Sequence, residues 1–548
     1  MSDLGEKVGR TVDAFRENGI AGFAALVRAY NVKRKNARAY ERFIAREKLN
    51  DAKRDVLRER VVAFERKPKI SVILPVYNID EIWLSRCVDS VRQQIYTNWE
   101  LCIADDASTK PQIRPYLEKL VAEEPRAKVV FRGENGHISA ASNSALELAT
   151  GEFCVLLDHD DELAEDALFY VAAELNSFPD AKMIFSDEDV IDAEGRRSDP
   201  KFKPEFSPDL MLSLNMVTHL SAYSSELLRE IGGFRIGLEG SQDYDLALRV
   251  IERIAPAEIR HIPRVLYHWR AVETSVAANR GAKPYAFERA RVAIADHLER
   301  IGIEADVVEA ADGLNRVRYP HGRTSISLIV VGEGKHFDIE SCETIYVGDS
   351  QQLARDLNEA AARATGDAII FLDRGLTPYS NDWLEELASY VSQKDIGAAG
   401  CKILRKDGAI DQTGLILGGE KTVRKAHHGY PQNANGYFFR AGLIGNYSAV
   451  SWRALAIRSD VFKSLGGFRA DEFPNELFDV DLCLRLWQKG LRGLYTPYVV
   501  MKNTRDVSDE YSRNALARLR ELWPDQTASD PFYNPNLSAD GGPFDIDG

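Results

Sequence analysis

From Pro68 onward, short apolar runs alternate with stretches whose apolar residues recur every three or four positions. KISVILPVY (69–77), WELCIADD (99–106), AKVVFR (127–132) and GEFCVLLD (151–158) read as strands, because short continuous apolar runs bounded by turn signals fit strands buried on both faces. Between them, DEIWLSRCVDSVRQQ (80–94), RPYLEKLVAEE (114–124) and ISAASNSALELAT (138–150) carry the helical period. Strand–helix alternation of this kind predicts an α/β fold with a parallel sheet covered on both faces. Residues 1–66 differ: they contain no proline, and Phe15, Ile20, Phe23, Leu26, Val27 and Tyr30 recur at helical spacing. A helical segment is expected there, packed on the body through Tyr40, Phe43, Ile44, Val56 and Leu57.

The pattern then repeats. NSALELATGEFCVLLDHDD (143–161) aligns with NEAAARATGDAIIFLDRGL (358–376) at a constant offset of 215. GGFRIGLEGSQDYDLALRV (232–250) aligns with GGFRADEFPNELFDVDLCLRL (466–486), two residues longer in the second copy. This predicts two related domains, 67–322 and 323–524, after the helical segment 1–66 and before a tail, 525–548, in which DPFYNPNLS docks and the acidic end frays. The copies differ in their polar residues. Asp160 becomes Gly375, Asp161 becomes Leu376 and His268 becomes Lys502, whereas Asp243 and Asp245 persist as Asp479 and Asp481. About a dozen residues separate SISLIVV from ETIYVGD, too few for the helix of the first copy. The second domain is expected to be kept for packing or binding.

Composition narrows the class. The chain has 548 residues, 45% hydrophobic and 28% charged, with net charge −14, which argues against a general nucleic-acid binder. Residues 28–66 run against that balance, with 13 Lys and Arg to 6 Asp and Glu. They read either as a solvated helix on the body or as an amphipathic helix in peripheral contact with anionic lipid at the inner membrane face. The six cysteines show no CxxC pairing and suit reduced, packed thiols. MSDLGEKVGR has no signal-like apolar core, and no apolar run reaches membrane-spanning length, so a cytoplasmic location is expected.

The candidate chemistry sits where strands end. In parallel sheets ligands bind beyond the carboxyl ends of the strands, and both ADDAS (104–108) and LDHDDE (157–162) lie there. Asp158 and Asp160, on alternate residues, suit a hard cation such as Mg²⁺ or Mn²⁺; their alternative is to cap a helix starting near Glu162. Asp105 and Asp106 suit a base N–H and a ribose hydroxyl, or a simple turn with Ser108. Asp243, at the start of a helical stretch, is placed as a general base. His268 follows an apolar strand and offers a further metal or diphosphate contact, or is a buried imidazole.

Together SVILPVYN (71–78), ADDAS, ENGHISAASN (134–143), LLDHDDEL (156–163), SDED (186–189), FKPEFSPDLMLSLN (202–215), GSQDYDLALRV and VLYHWR resemble a family 2 glycosyltransferase with the GT-A fold, in the tandem arrangement of bacterial polysaccharide and O-antigen (rhamnosyltransferase-like) enzymes. The resemblance implies two tandem GT-A domains, each with a Rossmann-like, mostly parallel sheet, the second degenerate. It implies a nucleotide-diphosphate sugar donor held by Pro75, Tyr77, Asp105, Asp106, Asn143 and Asp158. A Mn²⁺ or Mg²⁺ ion would sit on Asp160 and His268, and Asp243 would deprotonate the acceptor with inversion. The implied acceptor is a glycan or lipid-linked oligosaccharide. Ser142 departs from the arginine common before the asparagine, and the processive QxxRW signature is absent. Two active sites, or a non-catalytic glycan-binding scaffold, are the alternatives.

Overall fold

The computed structural model describes residues 34–271, 284–332, 342–505 and 510–547. The apolar face expected at Phe15–Tyr30 and the shortened connection at 333–341 lie outside these residues. The described chain forms two compact units: Ala45–Phe206 with Met211–Arg318, and the residues up to Ile44 with Ser207–Leu210 and those from Tyr319 onward.

The first unit is built on β1 (Ile70–Val76), β2 (Trp99–Asp105), β3 (Ala127–Phe131), β4 (Phe153–Leu156), β5 (Glu162–Leu163), β6 (Met183–Ile191), β7 (Arg197–Lys201), β8 (Ser221–Ser224) and β9 (Ile259–Arg270). They form one sheet in the order β3-β2-β1-β4-β8-β6-β9-β5, with β7 paired to β6. β1 to β4 are parallel, and β6 and β9 are parallel to each other, while β8 runs antiparallel between β4 and β6. Every residue of β1 and β2 is buried, as strands covered on both faces require. Leu84, Val88 and Val91 of one helix, Leu117 of the next and Leu168 and Val171 of a third join the sheet residues in one core. A hairpin, β10 (Asp306–Glu309) with β11 (Asn315–Arg318), follows.

The second unit contains β12 (Ile326–Val331), β13 (Glu343–Val347), β14 (Ala368–Asp373), β15 (Leu376–Pro378), β16 (Ile396–Leu404), β17 (Ile410–Gln412), β18 (Leu415–Leu417), β19 (Val423–Lys425), β20 (Gly445–Asn446), β21 (Ala454–Arg458) and β22 (Arg492–Asn503). Its sheet runs β13-β12-β14-β21-β16-β22-β15, the order of the first sheet with no described counterpart of β3. β17 pairs with β16 and β20 with β22, and β18 and β19 form a separate hairpin. Both sheets are mostly parallel with one reversed inner strand, so the repeat is one of topology as well as of residues.

Two polar devices recur in both units. Asn143 Nδ2 donates to the Phe234 carbonyl at 2.8 Å and Oδ1 accepts from the Phe234 N–H at 2.8 Å; Asn358 does the same with Phe468. The glycines before those phenylalanines, Gly233 and Gly467, adopt φ of 67° and 72°, and a Cβ on either would lie 2.4 Å from the asparagine Oδ1. GGF is therefore a seat for the asparagine, and only glycine fits it. The second device joins Asp245 to Arg249 and Asp481 to Arg485, each through an Nε–Oδ2 contact of 2.8 Å.

Before the first sheet, residues 34–47 and Asp51–Ala63 are helical. Tyr40, Phe43 and Leu57 are buried as expected, but Val56 is 54% exposed: it sits on the solvent side, one residue away from the inward position that Leu57 fills. Arg54 pairs with Glu165 at 2.8 Å and Arg66 with Glu152 at 2.6 Å, as a packed and solvated basic helix requires. No helix among the described residues is long and apolar enough to cross a membrane. The C-terminal end is not frayed up to Asp547. Phe544 is buried and stacks on His427 at 4.2 Å, and the Asp530 carboxylate takes the Leu417 N–H and the Ser448 hydroxyl, both at 2.7 Å. An apolar Phe544 and Ile546 among the tail's acids supply the packing that its overall polarity concealed.

Candidate functional site

The three acids at the exit of β4 have three fates. Asp161 is fully buried and accepts from the Tyr267 hydroxyl at 2.5 Å and from the Arg270 N–H at 2.7 Å, so it ties the loop to β9. Glu162–Leu163 forms β5, paired with β9, and the next helix starts only at Ala167, which removes the helix-capping reading. Asp160 lends its backbone carbonyl to Arg270 Nε at 2.8 Å. Burial pushes its carboxyl above the ordinary range, against the pull of His159, and the Asp158 charge adds to the rise. The Asp158 carboxylate is 44% exposed.

His268 lies on β9 with Nδ1 2.6 Å from Asp189 Oδ1, and Asp189 Oδ2 also accepts from Arg197 Nε at 2.5 Å. A carboxylate holding one ring nitrogen orients the other toward a ligand. Asp243 stands in the first turn of the helix Gln242–Ile251, its Oδ2 accepting from Asn215 Nδ2 at 3.0 Å. Burial raises its pKa above the carboxylate norm; His219 opposes the rise and Asp158 adds to it. Asp158 and Asp243 line one cleft, together with Pro75, Thr218, His219 and Gln242 over an apolar floor of Ile73 and Leu157.

Three functional residues escape sequence reasoning: His219, Glu188 and Lys203. The His219 ring stacks on Tyr267 at 4.5 Å, with Nδ1 3.4 Å from Glu188 Oε2 and Nε2 4.0 Å from Asp158 Oδ2. Its backbone N–H also donates to the Glu188 carboxylate. Desolvation opposes its charge, but Glu188, Asp158 and Asp243 together outweigh it and the imidazole pKa is raised. Lys203 is fully buried and donates to the carbonyls of Ser186 and Thr218 at 2.8 Å and of His219 at 3.0 Å, so it braces this corner. The signal was strand alternation within SDED: Asp187 and Asp189 share one face of β6, and Glu188 points to the other.

Other expected donor contacts are placed elsewhere. Tyr77 is 44% exposed. Asp105 takes the Ser108 N–H at 3.3 Å, the simple turn. Asp106 accepts from Arg132 Nε at 2.8 Å and from the Gly136 N–H at 2.9 Å, so both strand-end acids of β2 are engaged within the fold. Asn143 is held by the fold: its amide exchanges a pair of hydrogen bonds with the Phe234 backbone, which gives it a structural role. Asn143→Ala is expected to lower stability by about 2 kcal/mol, the cost of leaving the Phe234 groups unpaired, with the KM for substrate unchanged. Thermal unfolding beside steady-state kinetics checks this.

In the second unit the corresponding acids are internally satisfied. Strand pairing sets Ser224 opposite Phe153 and Arg458 opposite Ala368, so the register that superposes the units brings His219 onto Arg453. Arg453 Nε contacts Asp373 Oδ2 at 2.8 Å, and Arg505 and the Gly375 N–H take the other oxygen at 2.9 and 2.7 Å. Asp479 caps the N–H groups of Trp452 and Val480, both at 2.9 Å, and burial lifts its pKa to about 6.

For a divalent cation the donor set of the first unit fits by chemistry: a carboxylate on Asp160 and an imidazole whose far nitrogen is oriented by Asp189. No three His, Cys, Asp or Glu side chains among the described residues already stand together as a metal cluster. An ion would therefore draw further oxygens from the bound ligand.

Residues 71–232, which hold this cleft's β1, β4 and β8 walls, match the family model described as glycosyl transferase family 2. The uncharacterized protein y4gI of Sinorhizobium fredii is 35% identical over 544 residues, covering 89% of this chain and 60% of its own. The O-antigen biosynthesis protein RfbC of Myxococcus xanthus is 31% identical over 532 residues, covering 88% of this chain and 41% of its own. The chain thus spans 60% and 41% of the length of these two relatives. Among solved structures, S. aureus TarS 1-349 in complex with UDP-GlcNAc gives a TM-score of 0.35 at 22% identity, covering 42% of this chain and 66% of that one. Residues 71–232 thus carry a domain that matches glycosyl transferase family 2.

Proposed function

We propose that the first unit transfers a sugar from a nucleotide-diphosphate donor to a hydroxyl of a glycan or lipid-linked acceptor, with inversion, in the assembly of a bacterial surface polysaccharide. The observation that carries the reading is the shared cleft of Asp158 and Asp243 at the strand exits, with Asp243 buried enough to have a raised pKa. A base of that kind takes the acceptor's proton as the sugar–oxygen bond forms, and such a group contributes about 10²- to 10⁴-fold. Asp160 and His268 would hold Mn²⁺ or Mg²⁺, which when bound neutralises charge on the departing diphosphate. The relation to an O-antigen biosynthesis protein supports the polysaccharide setting. The second unit, its acids already paired with arginines and backbone N–H groups, is assigned a structural or glycan-holding role.

The test is nucleoside diphosphate release by the full chain from UDP-, dTDP- and GDP-sugars with Mn²⁺. Release from at least one donor is expected. Asp160→Ala should abolish it, and Asp373→Asn in the second unit should leave it unchanged. Release of pyrophosphate in place of nucleoside diphosphate overturns the reading, and equal loss in the two variants overturns the division of labour.

A further inference from the structure

We propose that His219 hydrogen-bonds the sugar being transferred, through Nε2, and so distinguishes the sugar-bearing donor from the bare nucleoside diphosphate. The inference rests on the donor reading above and assigns one residue to the sugar end of that site. Among the described residues that line the cleft, His219 is the only basic side chain. Its ring is held on two sides before any ligand arrives, by Glu188 at Nδ1 and by the face of Tyr267. Nε2 is then left toward the cleft, where the nearest acid, Asp158 Oδ2, stands 4.0 Å away. That distance is beyond a hydrogen bond, so the pair is open.

The second unit shows the closed form of the same position. Arg453, at the register position of His219 just before the reversed strand, reaches the matching aspartate at 2.8 Å and is fixed there by the Asn503 side chain at 2.5 Å. A cation facing the strand-end acid is thus common to both copies, and only the first leaves a gap between them. Asp158 and Asp243 line the same cleft as His219, which puts Nε2 in the site where the acceptor is deprotonated. The floor there is apolar, with Ile73, Leu157 and Phe234, and suits the hydrocarbon face of a sugar ring, not a diphosphate. One oriented N–H donor beside such a floor is the usual means of fixing a hydroxyl-bearing ring.

The experiment is calorimetric titration of the full chain, with Mn²⁺, using UDP-, dTDP- and GDP-hexoses and the matching nucleoside diphosphates. His219→Ala is expected to weaken the sugar donor by about 10- to 100-fold, the loss of a charge-assisted hydrogen bond, and to leave the matching nucleoside diphosphate at wild-type affinity. His219→Gln keeps an N–H donor and should lose less. The unchanged nucleoside diphosphate affinity also shows that the variant is folded. Equal weakening of both ligands, or weakening of neither, overturns the assignment while the donor reading stands. If the wild-type chain binds neither class of ligand, the donor reading fails and the assignment falls with it.

Discussion

Asp243→Asn is expected to lower turnover by about 10²- to 10⁴-fold, the range for removing a positioned general base. Initial rates of nucleoside diphosphate release with acceptor present measure it. The pH profile carries more information. A base works deprotonated, so the rate rises as pH passes through its pKa. Burial lifts Asp243, and the Asp158 charge adds to the lift, so the acid limb should fall above the ordinary carboxylate value of about 4. The sign for stability is opposite to that of a salt-bridged aspartate. The folded pKa is raised above the unfolded one, so the ionised carboxylate costs stability at high pH, and the cost disappears as pH falls through the folded value. Asn at this position removes a buried charge and keeps the contact with Asn215 within reach. The variant should therefore unfold at the wild-type temperature or above it while losing turnover. A variant that keeps its activity, or whose acid limb lies at the ordinary carboxylate value before mutation, refutes the base assignment.

How much of this was legible from the residues depends on the kind of signal. The sheets were legible because runs such as SVILPV and AIIFLD are apolar throughout, as strands buried on both faces require. The duplication was legible because the seat made by GGF and the Asn before it allows no substitution in either unit. That same geometry in both units shows that Asn143 has a structural role which its sequence context does not reveal. A polar residue fixed by packing and one fixed by a ligand look alike in one sequence, and only the two hydrogen bonds to Phe234 separate them. Asp105 and Asp106 are ambiguous for a related reason: acids at a strand exit meet a ligand, the fold's own N–H groups and Arg132, or both, and sequence spacing is silent on which. His219 was missed because its partners are Glu188, 31 residues earlier, and Asp158, in the loop after β4. A charge pair assembled by β4, β6 and β8 has no local spacing to read.

The same limit governs the second large effect, which concerns stability. Asp243 and Asp245 stand in one helical turn, but two residues along a helix turn the side chain by about 200°, so only one of them can face the cleft. Asp245 faces inward. It is fully buried, with Arg249 Nε at 2.8 Å and Arg235 Nη2 at 2.5 Å, and Arg249 goes on to the carbonyls of Ile231 at 2.9 Å and Gly233 at 2.5 Å. The carboxylate thus anchors the arginine that closes the GGF turn beneath Asn143. Asp481 does the same in the second unit, with Arg485 at 2.8 Å, Arg469 at 3.0 Å and the Trp523 indole N–H at 3.0 Å. Removing one partner of a buried pair leaves the other charge uncompensated, at a cost of about 3–5 kcal/mol. Asp245→Asn and Asp481→Asn should each lose that much, in different units. Hydrogen exchange followed by mass spectrometry locates the loss: faster exchange in Gln242–Ile251 for the first variant, and in Phe478–Gln488 for the second. Turnover per folded molecule should survive Asp481→Asn. A cost below about 1 kcal/mol, the worth of an exposed ion pair, would mean that water reaches these pairs and that the GGF turn holds without them.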